Sequence, residues 1–180
     1  MPSHPAALWP IAEPLTTPRL RLEPLRVDHA PEAARLLDDV RLHRWTGGSP
    51  RTPEELEAVY RRQSAGRSPD GSQGWLNWML RCTADSRLVG TVQATLHRRG
   101  EAPGFEADLA WVVGTAHQGN GYAREAAHTM AAWLRTHGAT RLTAHVHPDH
   151  QASAAVARSL GMTPTDDTHD GELRWTDFGC

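Results

Sequence analysis

Residues 118–121 read Gln-Gly-Asn-Gly and lie between an apolar run, Leu109–Val113, and a long segment of helical periodicity. Gly119 and Gly121 lack a Cβ and reach positive φ without strain, so the backbone there can approach a ligand closely. A helix opening at this turn aims the free N–H groups of its first residues, with the positive end of its dipole behind them, at whatever occupies the turn. A pyrophosphate is the ligand such a turn suits, held by the backbone of Gln118, Gly119, Asn120, Gly121, Tyr122 and Ala123. The bland alternative is a plain helix-opening turn. Two other phosphate loops fit worse. A Walker loop needs Gly-Lys-Ser/Thr, and the chain has no lysine. A dinucleotide fingerprint needs a third glycine and an early position.

A second group of residues is Asp70, Gln73, Trp75, Asn77 and Trp78. Trp75 and Asn77 fall on one face of a strand. Aromatic faces beside amides and a carboxylate suit a polyhydroxylated, cationic ligand, because rings stack and polar groups hydrogen-bond. The alternative is that the tryptophans are core. A third group is His145, His147 and His150. Zinc binds such nitrogen clusters, but no cysteine and no fourth ligand accompany them, so no metal is assigned. Hydrogen-bonded histidines, or a histidine shaping a substrate site, fit better.

The elements that position these groups follow from periodicity and punctuation. Residues 1–17 are proline-rich and aperiodic and read as an arm, leaving 18–180 as one domain. Residues 20–25 alternate as an edge strand, since Pro24 cannot donate to a ladder. Asp28 reads as the N-cap of a helix to about Asp39, with Ala33, Leu36 and Leu37 inward. Thr52-Pro53-Glu54-Glu55 is a capping box opening a helix to about Ala65, with Leu56, Val59 and Tyr60 on one face. After a loop at 66–74, strands are expected at 75–82, 87–96 and 106–113. A helix over 121–137 stops at Gly138, with Ala123, Ala127, Met130 and Leu134 at helical spacing. A strand (140–147), a short helix (151–160) and a strand pair from 162–164 and 173–178 close the chain. The order β, α, α, β, β, β, α, β, α, β, β describes one α/β unit.

Composition narrows the partners. A chain of 180 residues can bury one core, and it has no apolar run long enough for a membrane span. The start has no basic segment followed by an apolar one, so it does not read as a signal peptide. Cys82 and Cys180 are the only cysteines, which fits a reducing cytoplasm. A formal charge of −2 does not favour nucleic acid. The partner expected is a small molecule; the oligomeric state is open, a homodimer included.

Residues 118–123 also match the Q/R-x-x-G-x-G/A signature of the GNAT superfamily of N-acetyltransferases. Thr17-Pro-Arg-Leu-Arg-Leu-Glu-Pro-Leu25 resembles the opening of the branch that acetylates ribosomal-protein N-termini. Val89-Gly90-Thr91 matches that branch's third strand. Pro148–Ser153 with Leu160-Gly161-Met162 matches its "P-x-N-x-x-S … L-G-F" segment, with His150 where asparagine is usual. The resemblance covers about Thr17–Phe178. It implies a single mixed, mostly antiparallel sheet, splayed at an acetyl-CoA site and flanked by about four helices.

It also implies roles. Acetyl-CoA is the co-substrate, with its pyrophosphate on 118–123 and its pantetheine arm near Trp111, Val112, Val113 and His150. Transfer of acetyl to an amine needs a proton acceptor, because a free amine is mostly charged at neutral pH. Asp108 and Glu106, on the strand before the glycine turn, are the candidates for that base. Ser153 matches a serine that some relatives place near the departing thiol; its alternative role is a helix cap. The 70–78 segment and Gly90–Thr95 resemble a subgroup that includes kasugamycin-type aminoglycoside acetyltransferases. That implies an amino-sugar acceptor bound by Asp70, Gln73, Trp75 and Asn77, and antibiotic resistance as the outcome. The other implied acceptor is a protein N-terminus, and an inactive acyl-CoA-binding module is a third reading.

Overall fold

The computed structural model describes residues 9–100 and 102–177. Its strands are β1 (Leu15–Thr16), β2 (Leu20–Pro24), β3 (Gln73–Cys82), β4 (Leu88–His97), β5 (Phe105–Val113), β6 (Ala139–Val146), β7 (Thr163–His169) and β8 (Glu172–Thr176). Its helices are α1 (Ala30–Leu36), α2 (Val40–Thr46), α3 (Pro53–Gln63), α4 (Tyr122–Thr136) and α5 (Gln151–Ser159). One mixed sheet runs β1-β2-β3-β4-β5-β6-β8-β7. Among the described residues only the β5–β6 pair is parallel. Among the described residues no helix is long and apolar enough to cross a membrane.

Alternation along the strands divides the apolar residues between two layers. Leu76, Trp78, Val92, Ala94, Leu96, Ala107, Leu109, Leu142 and Ala144 join Met130 and Leu134 of α4 in the larger core. On the other face Ala30, Ala33, Leu56, Tyr60 and Met79 pack into a smaller core beneath α1 and α3. That second face carries the polar residues of the central strands.

Several local expectations need correction. Asp28 does not cap α1. A short 3-10 turn at Val27–His29 comes first, and His29 takes the N-cap position. The inward positions of α1 are Ala30, Ala33 and Ala34, while Leu36 and Leu37 are only half-buried. The helix also stops at Leu36, and Asp39 caps α2, a helix the periodicity did not announce, by accepting from Arg41 N. The reason is length: α2 buries only Leu42, too little for an apolar stripe to register. The Thr52–Glu55 capping box forms in both directions. The expected last strand's Phe178 lies outside the described residues. The described part of the N-terminal arm is pinned to the domain: the Trp9 indole donates to Gly71 O, and Glu13 accepts from Trp78 and Trp133.

Gly90 explains why its strand requires glycine. A Cβ there would stand 2.3 Å from Val112 O and 3.1 Å from Val113 Cα. Gly90→Ala is therefore expected to destabilise the fold by about 1–3 kcal/mol, because strands must move apart to admit one methyl group. Urea denaturation of the two proteins measures it, and equal stability would mean that β4 and β5 do not approach this closely.

Parallel pairing of β5 with β6 runs from Phe105↔Ala139 to Leu109↔Ala144 and goes no further. Beyond it Ala110–Val113 stay with β4, while His145 and Val146 pair with β8. The two central strands thus part, and the wedge between them opens onto the polar face.

Candidate active site

A cavity of about 960 Å³ occupies that wedge and the space between the sheet and α2–α3. Its floor is the sheet face bearing Asn77, Thr91, Gln93, Thr95, Asp108 and His145. A smaller cavity of about 350 Å³ adjoins it, sharing Gln63, Asn77, Gln93 and Thr95 and adding Trp75 and Arg62.

Asp108 and Glu106 point to the same face, as the strand period requires, but into different surroundings. Asp108 is in the cavity wall. Its Oδ1 accepts from the Thr143 hydroxyl at 2.7 Å and lies 3.5 Å from His145 Nδ1. Glu106 lies outside both cavities, with its oxygens on Arg99 (2.9 Å) and Arg141 (3.3 Å). A carboxylate engaged by two guanidiniums outside the cavities is not in reach of an amine bound within them.

Ser153 faces the cavity from the first turn of α5. The cap position belongs to His150, without a side-chain cap bond, so Ser153 is not the cap. Its Oγ accepts the Trp111 indole N–H at 3.1 Å, across the wedge. The serine proton stays available to a further acceptor. Trp111 is half-buried against the larger core, and Val112 lines the cavity beside it. Val113 O accepts from the Gln118 side chain at 3.1 Å.

At the glycine turn, Gly119 and Gly121 both have φ +78°. Glu125 N is bonded back to Gly121 O, so the N–H groups of Tyr122, Ala123 and Arg124 precede the helix's own ladder. A Cβ at Gly119 would meet nothing within 4 Å; the turn is an open cradle of amides. The residues fit a pyrophosphate. Asn120 ties the turn to itself through His117 O (2.9 Å) and Gln118 O (3.3 Å). Arg19 braces it from the bend just before β2: its guanidinium donates to Asn120 O at 2.8 Å and to Glu125 at 2.7 Å, and covers the Tyr122 ring. Burial raises the Glu125 pKa, but the Thr17 hydroxyl and Arg19 outweigh it and leave it lowered. Nothing local in the sequence identifies this brace, because its partners are 101 and 106 residues apart.

His150 lines the cavity and stacks on Trp45 of α2, with centroids 4.4 Å apart. Burial, then neighbouring His147, lower its pKa, which favours the neutral ring. Trp45 was not expected here, since α2 itself was not. Tyr60 is a further cavity residue; burial lifts its hydroxyl to about 12 and keeps it a donor.

The expected acceptor residues divide. Asn77 is in the wall of both cavities, 9% exposed, with no protein partner for its amide among the described residues. Trp75 lines the smaller cavity. Gln73 lies outside both walls and accepts the Trp75 indole N–H at 3.1 Å. Asp70 is also outside, locked by Ser68 and Ser72, whose hydrogen bonds hold its pKa at about 2. The structure thus brings Asn77, Asp108, Trp111, Val112, His150 and Ser153 together, with Trp75 next door, and leaves Asp70, Gln73 and Glu106 outside. Among the described residues no group of three His, Cys, Asp or Glu is arranged to hold a metal ion.

Comparison with solved structures finds the same architecture. A protein described as a GnaT-family acetyltransferase from Bordetella pertussis superposes with TM-score 0.72 at 24% identity, over 93% of this chain and 100% of that one. An acetyltransferase from Agrobacterium tumefaciens gives TM-score 0.68 at 24%, over 97% and 99%. RimL, a ribosomal L7/L12 alpha-N-protein acetyltransferase in complex with coenzyme A, gives 0.69 at 16%, over 91% and 94%. At these identities the likeness shows the fold. No curated protein sequence matches the chain. The family model for the acetyltransferase (GNAT) domain matches residues 19–163, a span that holds the splayed strands, the glycine cradle and Ser153. On that match the chain belongs to the GNAT family and is an N-acetyltransferase whose acyl donor is acetyl-CoA.

Proposed function

We propose that the acceptor is a small primary amine bound between α2–α3 and the sheet, and that it is an amino sugar of the aminoglycoside kind, inactivated as an antibiotic by acetylation. The observation that carries this reading is Asn77. Its side-chain amide has no protein partner among the described residues and opens onto the cavities beside Gln93, whose amide is likewise unpartnered there. Hydroxyl groups on a ring give both amides their missing bonds. Trp75 adds a flat apolar face to the same floor.

In this arrangement Asp108 meets the ammonium group and offsets its charge. The thioester of acetyl-CoA supplies the electrophilic acetyl group. Ser153, its Oγ fixed by Trp111, is placed to give a proton to the departing thiolate.

Free-thiol release measured across a panel of aminoglycosides and of peptides starting with Ser or Ala tests the acceptor. Aminoglycosides are expected to give the higher kcat/KM. Trp75→Ala should lower it about 2- to 30-fold, the range of a lost cation–π and stacking contact. Faster turnover of peptides would move the acceptor class to protein N-termini. Unchanged aminoglycoside turnover in Trp75→Ala would remove the smaller cavity from the acceptor site.

A further inference from the structure

We propose that Asp108 and His145 form one proton-accepting dyad, in which the carboxylate meets the acceptor's ammonium group and the imidazole holds the proton. The inference rests on the acceptor being an amine, as argued above.

The geometry begins in the sheet. Thr143 and His145 alternate onto the polar face of β6, and Thr143 stands directly beside Asp108 on β5. The Thr143 hydroxyl donates to Asp108 Oδ1 and fixes that carboxylate. One pleat further on, β5 and β6 have parted, and His145 Nδ1 lies 3.5 Å from the same oxygen. Both side chains line the cavity, and both are about one-third exposed. A contact of this length is loose, as such contacts often are before substrate closes the site. The strand divergence that opens the acetyl-CoA wedge is thus what admits an imidazole next to the carboxylate.

A carboxylate alone is a weak acceptor for an ammonium proton, because the two groups ordinarily titrate several units apart. Imidazole is the side-chain type that titrates nearest neutrality. Passing the proton on to an imidazole narrows the gap while the carboxylate keeps the imidazolium neutralised. Before attack the ammonium nitrogen gives one proton to the dyad, whose net charge goes from −1 to 0. The nitrogen lone pair then forms the C–N bond and the C–S bond breaks. The second proton lost from nitrogen on forming the amide balances the one taken up as the thiolate leaves as thiol.

Other charges face His145. Arg174 lies directly across from it on β8 and disfavours the imidazolium, though Asp167 sits 3.8 Å from that guanidinium. Glu172 in the cavity wall favours it. His169, with its ring 6.3 Å away, and His147 in the wall add positive charge only when protonated.

Two measurements test the dyad. The first follows kcat/KM against pH for His145→Asn, which keeps a nitrogen near Asp108 but cannot titrate. Turnover at neutral pH should fall about 10²–10⁴-fold, with recovery toward alkaline pH as free amine accumulates and with acetyl-CoA affinity by calorimetry unchanged. Wild-type turnover with the wild-type acid limb would overturn the proposal. The second measurement needs no acceptor. The His145 ring is titrated by NMR in the wild type and in Asp108→Asn. Loss of the carboxylate should lower the midpoint, since an adjacent negative charge stabilises imidazolium. An unmoved midpoint would overturn the dyad even in an enzyme active on amines. A chain inactive on every amine, yet showing the shift, would instead overturn the acceptor reading.

Discussion

Asp108→Asn is expected to lower kcat about 10²–10⁴-fold while leaving acetyl-CoA affinity and folding near wild type. The swap conserves shape, and an amide oxygen can still accept the Thr143 hydroxyl that Asp108 Oδ1 accepts at 2.7 Å. What it removes is the charge that meets an ammonium group and the partner of His145. The contrast is Glu106→Gln. That residue sits outside the cavities on Arg99 and Arg141, so its loss should cost no more than about 1 kcal/mol of stability and leave kcat within a few-fold of wild type. Steady-state kinetics on any amine the wild type accepts separates the two. A Glu106→Gln enzyme with the larger defect would reverse the assignment of the base.

Legibility in the sequence followed the range of each interaction. The glycine turn was readable because its chemistry is local: Gly119 and Gly121 need positive φ, and the helix behind them announces itself by Ala127, Met130 and Leu134 at helical spacing. The order of elements followed from strand alternation and helical spacing, and the mixed sheet from the family resemblance, while the strand order within the sheet is visible only in the structure. Contacts that tie distant segments left no local trace. The Arg19 brace, the Trp111–Ser153 bond and the Asp108–His145 approach each join residues far apart in the chain. The acceptor residues show the same limit from the other side. Asp70, Gln73, Trp75 and Asn77 are close in sequence and of suitable types, and the strand period puts Gln73, Trp75 and Asn77 on one face, but Gln73, at the strand's first position, is bonded to the Trp75 indole and only Trp75 and Asn77 reach the cavities. Asp70 has already spent its oxygens on Ser68 and Ser72. α2 escaped notice because it is short, and Trp45 and its stack on His150 went with it.

Gly121→Val is expected to weaken acetyl-CoA binding by about 100-fold, equivalent to about 2.7 kcal/mol, in a protein that still folds. Two effects combine at this residue. Its φ of +78° and ψ of 10° put it in the left-handed region, where a β-branched side chain costs about 1–3 kcal/mol. Relief of that strain turns the peptide planes on either side and moves the N–H groups of Tyr122 and Ala123 out of convergence. Room for the side chain exists in the protein itself, since the nearest atom to a Cβ there is Arg19 Nη2 at 3.5 Å. The methyl groups therefore crowd the Arg19 guanidinium that braces the turn, and the anion loses its converging donors. Arg19→Gln is the graded companion: it frees Asn120 O and Glu125 without adding bulk, and should weaken binding less than Gly121→Val does. Calorimetric titration with acetyl-CoA, paired with a thermal melt to show folding, decides the matter. A folded Gly121→Val protein with wild-type affinity would mean that the pyrophosphate sits elsewhere and that the turn only opens the helix.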